Sequence, residues 1–336
     1  MVPEFDDFLF IRSLGLEFCM HEPIRVAIVQ APSAFFDLPA TLEQTLRLTE
    51  EAAGKGARLV VFGETWLGGY PAWLDHCPGV TLWDHPPAKE VYALYRHHSP
   101  SASGPEAQRL AEAAADLGIT LVVGVSERVD RGPGNGTLYN SLWTFDGDRG
   151  LVNHHRKLVP TYTERLIWGP GDGNGLRTVD TVSGARVGGL ICWEHWMPLA
   201  RQALHVDGEL IHVAVWPTVH DMHQVASRHY AFEGRCFVLA AGQLMTAGAM
   251  PEAFERRPGL AEDDLVLRGG SAIIGPDGSY LVEPVFERSE LLMADLDPAQ
   301  AEGERMTLDV TGHYSRPDVF DFGLRPNTAR SNNDIP

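Results

Sequence analysis

VGGLICWEHWMPLARQAL (187–204) is the stretch on which the layout of the chain turns. It opens with small and branched apolar residues, the composition of a strand buried on both faces. The apolar run stops at Cys192, and Pro198 stands where proline is best tolerated, in the first turn of a helix. A strand that passes into a helix over a few residues is the basic unit of an α/β domain. It also sets a thiol at the junction, so the rest of the chain is read for the same rhythm and for partners to that thiol.

The rhythm recurs on both sides. Upstream, 24–31, 58–64 and 119–127 read as strands, and 39–57 and 103–118 as helices, the latter stopped by Gly118. Segments 138–146 and 150–157 form a hairpin across Gly147 and Asp148. Downstream, 186–192, 210–216 and 237–243 read as strands, with helices over 198–206 and 222–236 between them. A hairpin over 269–285, turning at Pro276-Asp277-Gly278, and a strand over 290–297 follow. Residues 169–173 and 246–264 read as loops. Two similar halves of alternating strands and helices predict an α/β protein of two packed sheets with helices outside. Residues 1–23 read as a poorly ordered leader, 24–323 as a single domain and 324–336 as a polar tail.

Composition narrows the function. The 336 residues carry 45 acidic against 27 basic side chains, a net charge of −18. Nucleic acid and anionic membranes call for a basic footprint, so neither is expected as a partner. No uncharged run is long enough to span a bilayer. Four cysteines, at 19, 77, 192 and 236, have neither the spacing of a metal clip nor that of a disulfide framework, which suits a reducing cytoplasm. Only Lys55, Lys89 and Lys157 are lysines; composition bias is the plain account of the imbalance, yet arginine does not replace lysine where a compact ammonium is needed.

Glu64, Lys157 and Cys192 each close a predicted strand, and ligands of open α/β sheets gather beyond the carboxyl ends of strands. A thiolate is a nucleophile, a cation nearby lowers the energy of that form, and exposed backbone N–H groups at the turn can hold developing negative charge. Glu64, among Trp66, Tyr70 and Trp73, would be desolvated and raised toward a general base. Glu164, seven residues after Lys157, could hold its ammonium. Taken singly, each has a plainer reading: a structural thiol, a solvated acid, a strand-end cation. His154 and His155 point to opposite faces of a strand, and HDMH (220–223) lacks a third ligand, so no metal site is expected. A cysteine protease is a distant alternative, because CWEH matches no papain-type signature.

Taken together, RVAIVQAPSAFFD (25–37), VVFGETWLGGYPAW (60–73), HHRKLVPTYTERLIWGPGDG (154–173), GGLICWEHWMPLAR (188–201), EGRCFVLAAGQ (233–243) and GHYSRPDVFDF (312–322) resemble the nitrilase superfamily, and within it the true nitrilases. The resemblance implies a four-layer αββα sandwich and no metal or organic cofactor. It implies Glu64 as general base, Lys157 as the family's lysine, Cys192 as nucleophile and Glu164 as a second glutamate of the site. It also implies homodimers built across the helix bearing the nucleophile, extending to larger homo-oligomers or spirals. The expected reaction is hydrolysis of an organic nitrile to the acid and ammonia through a thioimidate and a thioester. An amidase or a cyanide-degrading member of the superfamily is the near alternative, and a non-catalytic binding scaffold the distant one. Tyr70, Trp66, Trp168, Trp193 and His195 are the candidate pocket and oxyanion residues, and Trp73 and Trp196 lie near them in sequence.

Overall fold

The computed structural model describes residues 22–325. The first half runs β1 (Ile24–Gln30), α1 (Leu38–Gly54), β2 (Leu59–Phe62), α2 (Trp73–His76), α3 (Pro86–His97), α4 (Pro105–Leu117), β3 (Thr120–Arg128), β4 (Leu138–Asp146) and β5 (Leu151–Arg156). The second half runs β6 (Val179–Asp180), β7 (Arg186–Ile191), α5 (Pro198–Val206), β8 (Ile211–Val215), α6 (Asp221–Gly234), β9 (Phe237–Ala241), β10 (Leu244–Thr246), β11 (Leu265–Ile274), β12 (Tyr280–Phe286), β13 (Glu290–Leu296) and α7 (Pro298–Glu304).

Two sheets form. One has the order β13-β1-β2-β3-β4-β5, the other β10-β11-β9-β8-β7-β6 with β12 beside β11. In each, a parallel core made by strand–helix alternation (β1-β2-β3 and β7-β8-β9) is extended by antiparallel strands. The side-chain period of two shows how the sheets stack. Val26, Ile28, Leu59, Val61, Val122 and Leu142 join the cluster that holds Val187, Ile191, Val213 and Val215 of the other sheet. Their neighbours Ala27, Val29, Val60, Phe62, Leu121 and Val123 pack outward on Leu42 of α1 and Leu110 and Ala114 of α4. Ala200 and Leu204 of α5 and Ala226 and Tyr230 of α6 cover the second sheet. The expected four-layer αββα sandwich is the architecture found. Gly189 shows why β7 has a bare position: a Cβ there would come 2.7 Å from Leu142 Cδ2 and 3.0 Å from the Val213 carbonyl, pushing the sheets apart.

The sequence reading missed α2, α3 and α7. Only Val91 and Tyr95 of α3 and only Pro298 and Ala301 of α7 are buried, too little apolar periodicity to betray a helix. It also began β11 four residues late. Gly269 and Gly270 have φ of +77° and +86° and look like a turn, but the strand runs through them as an irregular register starting at Leu265. The leader expected over 1–23 and the tail over 324–336 lie almost wholly outside the described residues. No helix among the described residues is long and apolar enough to cross a membrane.

Candidate active site

Three chain segments bring their side chains to one point. β2 ends at Phe62, and the next turn seats Glu64 against β3. A Cβ on Gly124 would fall 2.2 Å from the Gly63 carbonyl oxygen and 2.8 Å from Glu64 Cα, so glycine lets the two backbones touch. The Glu64 carbonyl also accepts a hydrogen bond from the Gln243 side chain. Lys157 follows directly on β5, its N–H donating to the Asn140 carbonyl at 2.8 Å. Cys192 follows directly on β7 and has φ of +53°, a conformation that costs a side-chain-bearing residue about 1–3 kcal/mol and marks a strained turn.

The side chains are all withdrawn from water: Glu64 is 0%, Lys157 1%, Glu164 2% and Cys192 4% exposed. The Lys157 ammonium lies 3.2 Å from Glu64 Oε1 and 2.7 Å from Glu164 Oε2. Asn140 Nδ2 donates to Glu64 Oε1 at 2.7 Å. Glu164 is fixed by the Thr161 N–H at 2.7 Å and by the Tyr70 hydroxyl, which donates to Oε1 at 3.1 Å. One ligating atom each of Glu64, Glu164 and Cys192 lie within 4.8 Å of one another. Glu64 Oε2 has no hydrogen-bond partner, so this carboxylate keeps one oxygen for the thiol proton.

Electrostatics follow from this packing. Burial pushes the Glu64 carboxyl up to about 7, against the pull of Lys157. Burial also lifts the Cys192 thiol, and the Glu64 charge adds to this while Lys157 and the Trp193 N–H oppose it. Burial alone would lower Lys157, but Glu64, Cys192 and Glu164 outweigh it, and the ammonium stays charged. The carboxylates and sulfur converge as metal ligands would, yet the Lys157 ammonium already stands against both acids as their cation. The set can abstract a thiol proton, return it to a reacting atom and hold negative charge.

One residue that ties the site together was not foreseen. The Glu194 carboxylate accepts from the Ile191 N–H at 2.8 Å, the Leu158 N–H at 2.8 Å and His155 Nε2 at 2.9 Å. It thereby joins the strand end carrying Cys192 to the one carrying Lys157. Burial raises its carboxyl, but His155 and the two backbone donors outweigh that and hold it below the ordinary range. Its signal in the sequence was an acid placed straight after a buried strand. Asn140 carried no signal, because an amide in an alternating strand reads as a neutral position.

A cavity of about 390 Å³ opens over Cys192 and Glu164, with Tyr70, Tyr162, Trp193, His220, His223 and Leu267 among its walls. Of the expected pocket residues, Tyr70 and Trp193 therefore line it. Trp66 does not: it points to the helix side of its sheet, lies tilted against Phe62 and donates to Thr45 Oγ1 at 2.8 Å. Trp168 stands behind Tyr70 and donates to Ser126 Oγ at 3.1 Å. His195, 1% exposed, turns away from the cavity toward the Cys192 carbonyl.

Comparison with known proteins agrees with this geometry. The family model described as carbon-nitrogen hydrolase matches residues 25–305. The nitrilase of Pseudomonas syringae pv. syringae is 40% identical, covering 94% of this chain and 94% of that protein. The aliphatic nitrilase of Sinorhizobium fredii is 40% identical, covering 88% of this chain and 94% of its own. The crystal structure of Saccharomyces cerevisiae Nit3, a member of branch 10 of the nitrilase superfamily, superposes with a TM-score of 0.67 at 20% identity, covering 88% of this chain and 98% of that one. At that identity the superposition speaks for the fold alone.

Proposed function

The chain belongs to the carbon-nitrogen hydrolase family and to its nitrilase branch, and on that premise we propose that Cys192, Glu64, Lys157 and Glu164 hydrolyse an organic nitrile to its carboxylic acid and ammonia. The observation that carries the residue roles is the convergence of a carboxylate with a free oxygen, an ammonium and a thiol in one buried pocket.

Glu64 takes the proton of Cys192 as the sulfur attacks the nitrile carbon. The C≡N bond loses one π pair to nitrogen, and the proton held by Glu64 passes to that nitrogen, giving a thioimidate. Lys157 and the Trp193 N–H face the developing negative charge. A water, deprotonated by Glu64 and oriented with help from Glu164, adds to the same carbon. Ammonia departs with a proton returned through Glu64 and leaves a thioester. A second water adds by the same route, and the carboxylic acid leaves as the thiol reforms. Two waters are consumed and one ammonia is released, so atoms and charge balance. Oriented proton transfer of this kind contributes about 10²–10⁴ in rate.

The pH dependence follows in sign. Glu64 acts as base only when ionised, and its carboxyl is raised to about 7. The free-enzyme kcat/KM should therefore rise with pH through about 7, rather than near the ordinary carboxyl value. A profile already flat from well below that pH would show that Glu64 is not the titrating base.

The aromatic and apolar walls at Tyr70, Tyr162, Trp193 and Leu267 suit nitriles with a compact aryl, arylalkyl or alkyl substituent. Ammonia release from a panel of nitriles, each paired with its amide, tests the activity; release from the amides alone would make this chain an amidase. The same reading takes 24–323 as one catalytic domain, supported by the shared core between the sheets. A reducing cytoplasm suits a thiol nucleophile and the buried free Cys77 and Cys236. Pairing into homodimers that extend to larger assemblies is supported by exposed Leu199 and Val206 on α5 and exposed Val225 and Phe232 on α6. In sedimentation, Leu199→Asp with Val225→Asp should give a lighter species than the parent chain; an unchanged mass would move the interface elsewhere.

A further inference from the structure

Behind the nucleophile lies a second set of buried titratable groups that the reaction does not touch. His195 Nδ1 is 2.6 Å from the Cys192 carbonyl oxygen, and His195 Nε2 is 2.9 Å from His212 Nε2. His212 Nδ1 is 2.8 Å from Glu209 Oε1, and the Tyr230 hydroxyl donates to Glu209 Oε2 at 2.6 Å. All four side chains are 2% exposed or less. Gly188 on β7 makes room for the acid: a Cβ there would sit 2.2 Å from Glu209 Oε1.

The direction of each hydrogen bond is forced from one end. A carbonyl oxygen only accepts, so His195 Nδ1 carries hydrogen and donates to Cys192. A neutral His195 then offers Nε2 as an acceptor, so His212 Nε2 must donate. A neutral His212 in turn offers Nδ1 as an acceptor, so the remaining proton must come from Glu209. We propose that Glu209, His212 and His195 form a proton-ordered positioning chain in which Glu209, as a neutral carboxylic acid, holds the turn that presents Cys192 for reaction.

The surroundings agree with that order. Burial, with the charge of Asp207, pushes the Glu209 carboxyl up to about 8, against Tyr230 and His205. Burial pushes both imidazoles down, helped in His212 by His205 and in His195 by His212 and His223. The other groups facing the chain are Cys236 and Glu233 beside Tyr230, Arg305, which donates to the Glu209 carbonyl, and Glu194 beside His195. Loss of the one mobile proton leaves two acceptors face to face. They meet either between Glu209 and His212, or, if both imidazoles flip their hydrogens, between His195 Nδ1 and the Cys192 carbonyl. A buried carboxylate is the costlier acceptor to leave without a donor, so the flipped arrangement prevails, the turn loses the bond that fixes it, and the reaction slows on the alkaline side.

The inference rests on Cys192 being the nucleophile, and its test separates the two. Glutamine reproduces the neutral acid, with N–H toward His212 and C=O toward Tyr230, but has no proton to lose. Glu209→Leu should lower kcat at neutral pH by about tenfold or more, because His212 is left without a donor. Glu209→Gln should recover most of that loss and remove the fall in kcat expected of the parent chain above about pH 8. An alkaline fall that stays in place in Glu209→Gln, or a glutamine variant that fails to fold or does no better than leucine, would overturn the proposal. Infrared spectroscopy gives a reading independent of turnover. The parent chain at neutral pH should show the carbonyl stretch of a buried protonated carboxyl that Glu209→Gln lacks, and identical spectra would overturn the proposal equally. Were Cys192→Ala to remain active, the nucleophile assignment would fall while the infrared difference still stood.

Discussion

Cys192→Ala should reduce nitrile turnover to the uncatalysed background, a loss of about 10⁴-fold or more in kcat, since no residual step can form the covalent bond. The fold should survive. Cys192 is 4% exposed and removal of its sulfur leaves a gap of one atom, with Lys157 still bonded to both Glu64 and Glu164. Loss of one small buried group costs about 1 kcal/mol, and relief of the Cβ at a φ of +53° is not gained with alanine. The variant should therefore bind substrate without consuming it. Ammonia release by Cys192→Ala at a tenth of the parent rate or faster would mean that the sulfur is a bystander, with water attacking directly. Cys192→Ser keeps the proton that Glu64 would remove but offers a poorer nucleophile, so it too should be nearly silent.

Lys157→Met has the second largest expected effect, and it acts on two observables. The ammonium separates two buried acids, lying 3.2 Å from one and 2.7 Å from the other. Methionine fills a similar volume but leaves Glu64 and Glu164 without their shared cation. Removing one partner of a buried ion pair costs about 3–5 kcal/mol of stability. Turnover should fall by about 10²–10³ as well, because the charge that opposes negative charge on the substrate nitrogen is gone. The pH dependence identifies the cause. Without Lys157, whose attraction lowers Glu64, the carboxyl should titrate in the fold above its present value of about 7, while in the unfolded chain it titrates near 4.5. An acid raised in the folded state loses stability as pH climbs from the unfolded value through the folded one. The stability deficit of Lys157→Met should thus be largest at alkaline pH and shrink as pH falls to about 7, below which Glu64 is protonated in both folded chains. Urea midpoints for both chains at either end of that range measure it. A deficit independent of pH would mean that packing, not the unpaired acids, is responsible.

Much of the fold was legible because the parallel strands announce themselves. Segments such as RVAIVQ and VGGLI are apolar on both faces, and α1, α4 and α5 carry proline in their first turn, with glycine at or just beyond their ends. The site was legible in part for a related reason: Glu64 and Cys192 are polar residues set just beyond those runs. Their meeting was not. It depends on the sheets being stacked, and Lys157 comes from the edge strand β5, which alternates and shows no such signal of its own. The aromatic residues mark the limit most clearly. Trp66 and Tyr70 are four residues apart, yet one points into the helix layer and the other into the cavity, a choice made by the left-handed turns at Thr65, Gly68 and Gly69. Nor could His195 be placed from sequence, since in a tight 3-10 turn a spacing of two residues does not fix which side a side chain takes. Trp193 is 53% exposed while His195 is buried.

Acid-quenched intact-mass analysis during turnover of a good nitrile substrate, followed by peptide mapping, tests the central account most directly. A single acyl group should accumulate on the chain, map to the peptide holding Cys192 and vanish in Cys192→Ala. Product formation at full rate with no adduct, or an adduct carried by Cys77 or Cys236, would contradict it.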